Sequence, residues 1–133
     1  TQVQIIHRHF PLDQSCNRSI ERVFHTDACR AATLAECAGR LGRFWEANDY
    51  LFGHSAELET LSTEAIASEL DLDLAALETC MKGEGLTAVK RDIETGIALN
   101  LRGTPSFLVN GQIYFGELPA SVLEKLQPNP PQK

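Results

Sequence analysis

Leu101-Arg-Gly-Thr-Pro-Ser-Phe-Leu-Val-Asn-Gly-Gln-Ile-Tyr-Phe-Gly116 is the stretch on which the reading of this chain turns. Asn110-Gly111 sits between two short runs of β-branched and aromatic residues. A two-residue hairpin loop needs positive φ at both central positions, and Asn followed by Gly tolerates it best. The expectation is a hairpin pairing Ser106 to Val109 with Gln112 to Phe115. Pro105 at the mouth of the first strand lacks an amide donor, and Thr104-Pro105 is one of the few bonds that can be cis at modest cost. Taken alone, those residues leave the ordinary trans form open. In the cis form Thr104 could offer its backbone to an incoming extended peptide, whereas the trans form is an ordinary proline starting a strand.

Outward from the hairpin, punctuation and periodicity divide the rest. An alternating strand is expected over Gln2 to Arg8, around Val3, Ile5 and Ile6, stopping at Phe10-Pro11 because proline cannot continue a ladder. A loop carrying Cys16 and His25 leads to a helix that Asp27 can cap. Ala28, Ala31, Ala32, Leu34, Ala35 and Ala38 give that helix a small-residue face, and Gly39 to Gly42 ends or kinks it. Phe44, Trp45, Tyr50, Leu51 and Phe52 fall on the next helix, with Gly53 just past its end. Ser62 with Glu64 starts a third helix through about Leu70. Asp73 caps a fourth with Leu74, Leu77, Cys80 and Met81, stopping at Gly83. Thr87 to Asn100 reads as a longer helix with Val89, Ile93, Ile97 and Leu101 at helical spacing and Gly96 as its weak point. Pro119 opens a last helix with Val122, Leu123 and Leu126 facing inward. Pro128 to Lys133 reads as a proline-rich tail that frays.

The 133 residues, 43% of them hydrophobic, suffice for one core. Its aromatic candidates are Phe10, Phe24, Phe44, Trp45, Phe52, Phe107 and Phe115, with Phe44 and Trp45 read as core rather than as a binding pair. A net charge of −6 and a pI near 5.1 argue against nucleic acid or an anionic membrane as partner. No apolar run approaches the roughly 18 residues that span a bilayer, and none has the layout of a signal peptide, so a soluble chain is expected. The absence of a leading Met fits a trimmed start or a mature exported chain. His7 and His9, two apart on a strand, face one side and could hold a metal, but satisfied or solvated histidines are the simpler reading.

Several segments, in order, resemble the DsbA-like branch of the thioredoxin superfamily from about Val3 to Leu126. They are His7-Arg-His-Phe-Pro-Leu12, Ala35-Glu-Cys-Ala38, Gly42-Arg-Phe-Trp-Glu46 with Tyr50-Leu-Phe52, and Gly103-Thr-Pro-Ser-Phe107 with Asn110-Gly111. The resemblance implies an α/β thioredoxin-like fold with a helical insertion over about 27–100, incomplete at its N-terminus, occupying residues 1–127 ahead of the 128–133 tail. It also implies a cis Thr104-Pro105 bond beside a Cys-x-x-Cys pair at a helix start. That pair is absent: no two of Cys16, Cys29, Cys37 and Cys80 are separated by just two residues. In the family the redox pair follows a strand upstream of the one read at Gln2 to Arg8, so the central strand and active-site helix are expected to be missing. Each backbone group left unpaired and buried by that omission costs about 1–3 kcal/mol. Something is therefore expected to fill the slot: an upstream segment, a strand exchanged with a second copy, or a rearranged pairing.

Four cysteines outside any redox pair suit structural disulfides in an oxidising compartment. If the helix from Ala28 runs unbroken past Cys37, Cys29 and Cys37 lie about 12 Å apart along its axis, too far for a bridge. Two connectivities remain. Cys16 with Cys29 and Cys37 with Cys80 is favoured, because the first closes a short loop and the second ties the helices of the insert together; Cys16 with Cys37 and Cys29 with Cys80 stays open. Four buried thiols, or a zinc site from Cys16, His25 and Cys29 with His7 or His9, are the competing readings, and the zinc spacing fits no compact motif.

For the complete protein the resemblance implies thiol–disulfide exchange with extended or unfolded polypeptides outside the cytoplasm, in the periplasm or its equivalent, where a membrane redox protein is a further candidate partner. Gly103, Thr104 and Pro105 would bind substrate. No catalytic residue, metal or cofactor is expected in this chain. The rival reading is a redox-inactive thioredoxin-fold module that binds a peptide or partner through the same groove.

Overall fold

The computed structural model describes residues 3–127; the proline-rich tail read at 128–133, and Gln2 of the first expected strand, lie outside them. The described residues form α1 (Ala28–Arg40), α2 (Phe44–Gly53), a 3₁₀ turn (Ser55–Glu57), α3 (Thr63–Glu69), α4 (Leu74–Lys82), α5 (Glu84–Ala98), β1 (Ser106–Val109), β2 (Gln112–Phe115) and α6 (Ala120–Leu126). Local chemistry accounts for many of the boundaries. Ser62 and Asp73 accept hydrogen bonds from the amides of Ala65 and Ala76, capping α3 and α4 as expected. Three helices end in the same way, through a left-handed residue at Gly42, Asp71 or Asn100. In each, the next amide reaches back five residues to a helical carbonyl: Arg43 to Ala38, Leu72 to Ala67 and Leu101 to Gly96.

The hairpin registers Ser106 with Phe115, Phe107 with Tyr114, Leu108 with Ile113 and Val109 with Gln112. Asn110 and Gly111 both take positive φ, 48° and 82°, as a two-residue loop requires. Among the described residues these are the only two strands. The expected strand at Gln2 to Arg8 is therefore corrected: residues 3–8 are exposed and carry no ladder. With no strand beside them their apolar side chains have nothing to cover, and Ile5 and Ile6 stand 75% and 62% exposed.

The core runs along α1. Leu34 and Cys37 pack with Leu51 of α2, Ile66 and Ala67 of α3 and Leu77 of α4, and burying each large aliphatic side chain contributes about 1.5–3 kcal/mol. Val89 and Ile93 of α5 are also fully enclosed. Two disulfides fasten this arrangement, Cys16–Cys29 and Cys37–Cys80, the favoured connectivity, and no cysteine is free. Cys16 and Cys29 are thus unavailable as thiolate ligands, which removes the zinc reading built on them.

Other expectations are corrected. Trp45 is not core: α2 turns Phe44, Ala47 and Leu51 inward, so Trp45 and Phe52, seven apart, share the outer face. Phe24 and Phe115 are likewise exposed. Leu123 points outward while Val122 and Leu126 are half-buried. Helix α5 begins at Glu84 rather than Thr87, directly after Gly83, and Pro119 sits at the cap position of α6 rather than inside it. Gly96, read as a weak point, is a contact: the Phe10 ring lies so close that a Cβ there would sit 2.5 Å from it.

Gly85 is the tightest junction, since a Cβ would fall onto Cys37 Sγ and within 3.0 Å of Cys80 Sγ and O. Gly85→Ala is expected to lower unfolding stability by about 1–3 kcal/mol, the usual cost of overpacking, whereas Gly53→Ala, with open space at its Cβ, leaves it unchanged or slightly raised; urea denaturation of both variants measures the difference. Replacing the Cys37–Cys80 pair by alanines should cost about 4 kcal/mol, and the Cys16–Cys29 pair about 3, the order that their loop lengths dictate.

Candidate functional site

The residues singled out from sequence fall into two separate places. Gly103, Thr104 and Pro105 form the loop that enters β1, with a cis bond between Thr104 and Pro105. Gly103 packs beneath Phe115, where a Cβ would stand 3.0 Å from the ring. Its carbonyl accepts from Ser106 Oγ at 2.7 Å, and the Pro105 carbonyl accepts from the Gly116 amide at 2.9 Å. Thr104 and Pro105 themselves are exposed.

Cross-strand pairing sorts the hairpin into two faces. Phe107, Tyr114 and Val109 are half-buried, and Val109 and Tyr114 line one depression with Val122 and Leu126 of α6. The opposite face carries Leu108, Ile113 and Phe115, which are 59%, 39% and 57% exposed. An apolar face of this kind, beside a loop with a presented backbone and along a strand whose outer edge has no partner among the described residues, is suited to an extended polypeptide.

The four cysteines lie elsewhere. Cys37–Cys80 links α1 to α4 inside the core, and Cys16–Cys29 ties the preceding loop to the start of α1. The residue that organises this loop was missed from sequence. Asp13, 2% exposed, accepts from the Ser15 amide with one oxygen and from the Cys29 amide with the other, at 2.9 and 3.0 Å. It therefore caps α1 from outside, while Asp27 at the cap position makes no side-chain bond. Buried Asn17 repeats the device, accepting from the Ser19 amide at 3.0 Å and donating to the Pro11 carbonyl at 2.9 Å. The readable signal was the doubled Asp13-x-Ser15 and Asn17-x-Ser19 spacing, in which a side chain bonds the backbone two residues on.

His7 and His9 differ from each other. Their rings meet edge to face at 4.8 Å, and His7 also lies against Phe44 at 4.9 Å. His7 remains exposed, whereas His9 is buried, its amide donating to Asp92 Oδ2 at 3.0 Å and its Nε2 standing 3.8 Å from Glu36 Oε1. Burial pushes the His9 ring down to about 4; the neighbouring His7 adds to the fall and Asp92 opposes it. The imidazole is neutral at pH 7.

A family model described as Thioredoxin matches residues 2–126. A Na(+)/H(+) antiporter NhaA of Salinispora arenicola is 33% identical over 117 residues, covering 87% of this chain and 17% of that protein. One from Salinispora tropica matches to the same extent, and one from Mycolicibacterium gilvum is 31% identical over 119 residues, 18% of its length. The chain thus spans under a fifth of these relatives. No solved structure matches it at a significant level.

Depression of the His9 pKa has a stability consequence whose sign is fixed. Unfolded, His9 titrates near 6.5, so the unfolded chain takes up the proton first as pH falls. Its contribution, about 3 kcal/mol, is fully present above pH 6.5 and lost between 6.5 and about 4. Urea midpoints compared at pH 7 and pH 4.5 in chelator-containing buffer should therefore fall further for the wild type than for His9→Gln; an equal fall in both would contradict the assignment.

Proposed function

The chain belongs to the thioredoxin family, and we propose that it is the polypeptide-docking portion of a larger thiol–disulfide oxidoreductase acting outside the cytoplasm. The observation that carries this reading is the exposed apolar face of Leu108, Ile113 and Phe115 beside the Gly103, Thr104 and Pro105 loop. An extended substrate would add along the open edge of β1, its backbone bonding to the strand and its side chains resting on that face. Two disulfides and no free thiol suit an oxidising space such as the periplasm.

Disulfide exchange requires a thiolate that attacks a disulfide sulfur to form a mixed intermediate, best when a helix N-terminus lowers its pKa. With both disulfides committed to structure, the reacting pair would come from another part of the larger protein. A redox-inactive binding module is the second reading, and the relatives favour it: those proteins are named for sodium–proton antiport, not for redox chemistry.

The 133 residues alone should give no insulin reduction and no peptide oxidation; turnover in either assay would overturn the division of labour proposed here. They should bind a labelled, cysteine-free extended apolar peptide, followed by fluorescence anisotropy, with affinity at least tenfold weaker in Leu108→Lys or Phe115→Glu and unchanged in Trp45→Ser, at an exposed aromatic of α2. Binding that ignores the two hairpin substitutions would refute the docking face.

A further inference from the structure

Three side chains far apart in sequence converge where the N-terminal segment crosses two helices: His9 ahead of α1, Glu36 on α1 and Asp92 on α5. One ligand-type atom from each lies within 4.8 Å of the other two. We propose that His9, Glu36 and Asp92 form a binding site for a divalent transition cation of the zinc type. It is a different donor set from the cysteine-based one weighed from sequence.

The site is built rather than an accident of exposed charge. His9 is 7% exposed, and its Nε2 is aimed at Glu36 Oε1 from 3.8 Å, beyond hydrogen-bonding distance. Asp92 is held in place by the His9 amide at 3.0 Å, and both carboxylates are largely shielded, with side chains 24% and 13% exposed. Arg40 stands 3.6 Å from Glu36 Oε2, the oxygen not paired with His9, and exposed Arg8 is 3.7 Å from Asp92 Oδ1. Glu36 Oε1, the oxygen turned to His9, has no arginine on it among these pairs.

Donor chemistry selects the ion. One imidazole nitrogen with two carboxylate oxygens suits zinc and its first-row neighbours, while calcium and magnesium prefer oxygen alone. Zinc binds such ligands at about 2.0–2.2 Å, which sets tetrahedral ligand pairs roughly 3.4 Å apart. His9 Nε2 and Glu36 Oε1 stand 3.8 Å apart and the whole set lies within 4.8 Å, so closing on an ion asks for side-chain adjustments of about 0.4–1.4 Å. Three protein ligands leave one position open, so a bound ion would keep a water or accept a ligand there. It would also fasten the exposed segment at residues 3–8 to α1 and α5, a clamp independent of both disulfides.

The test is calorimetric titration of the full chain, stripped of metal, with zinc chloride at pH 7. One equivalent should bind, with calcium and magnesium at millimolar concentration failing to compete. Glu36→Gln and Asp92→Asn, each only partly buried, should weaken binding at least tenfold with the helical circular dichroism preserved, and His25→Ala at the exposed histidine should not. Because His9→Gln could disturb packing, the ring is followed directly by NMR in the wild type: zinc should shift the His9 ring nitrogens at one equivalent. No zinc uptake, uptake unaffected by the Glu36 and Asp92 variants, or shifts confined to His25 and His54 would each overturn the proposal.

Discussion

Helix α5 approaches the Cys37–Cys80 bridge so closely that only a hydrogen fits at residue 85, and much of the helical body follows from that contact. The bridge joins the buried face of α1 to α4, and α5 leaves Gly83 directly over it. With the bridge, Leu34 and Leu77 occupying the centre, α2 and α3 are left to close the sides through Leu51 and Ile66. Side chains, not ladders, then fix the N-terminal segment: Phe10 lies on Gly96, the His9 amide bonds Asp92, and Asp13 caps α1.

That division leaves the molecule with two contrasting parts. The helices bury their apolar stripes against one another, while the two strands, among the described residues, pair only with each other and show Leu108, Ile113 and Phe115 to solvent. Residues 3–8 add Val3, Ile5 and Ile6 to the exposed apolar surface. Apolar area of this kind is costly to leave in water, and a polypeptide laid along it would gain the burial that the chain's own strands do not supply. The docking face proposed for substrate and the open strand edge are thus one physical fact seen from two sides.

Much of the architecture was legible where a rule acts over a few residues. Ser62, Asp73 and Asn110-Gly111 act on amides and dihedrals within three or four positions, and each did what its chemistry requires. The bridge pattern was narrowed by helix rise alone. Trp45 and Phe52 were misread because apolar character does not say which side of a helix meets a neighbour; only the phase set by Ala47 and Leu51 does. Asp13 was passed over as one more acidic residue, although its bond to the Cys29 amide spans sixteen positions.

By itself the sequence determined the hairpin and its register, the caps and stops of the middle helices, the resemblance that led to the family, and the absence of a paired redox motif, because these depend on local dihedral preference, short-range hydrogen bonding and residue identity. Tertiary structure decided that residues 3–8 stay unpaired, that Gly85 and Gly96 are points of contact, and that His9, Glu36 and Asp92 meet. Those outcomes depend on distances between elements separated by 27 to 86 positions, and such distances are set by how whole helices pack.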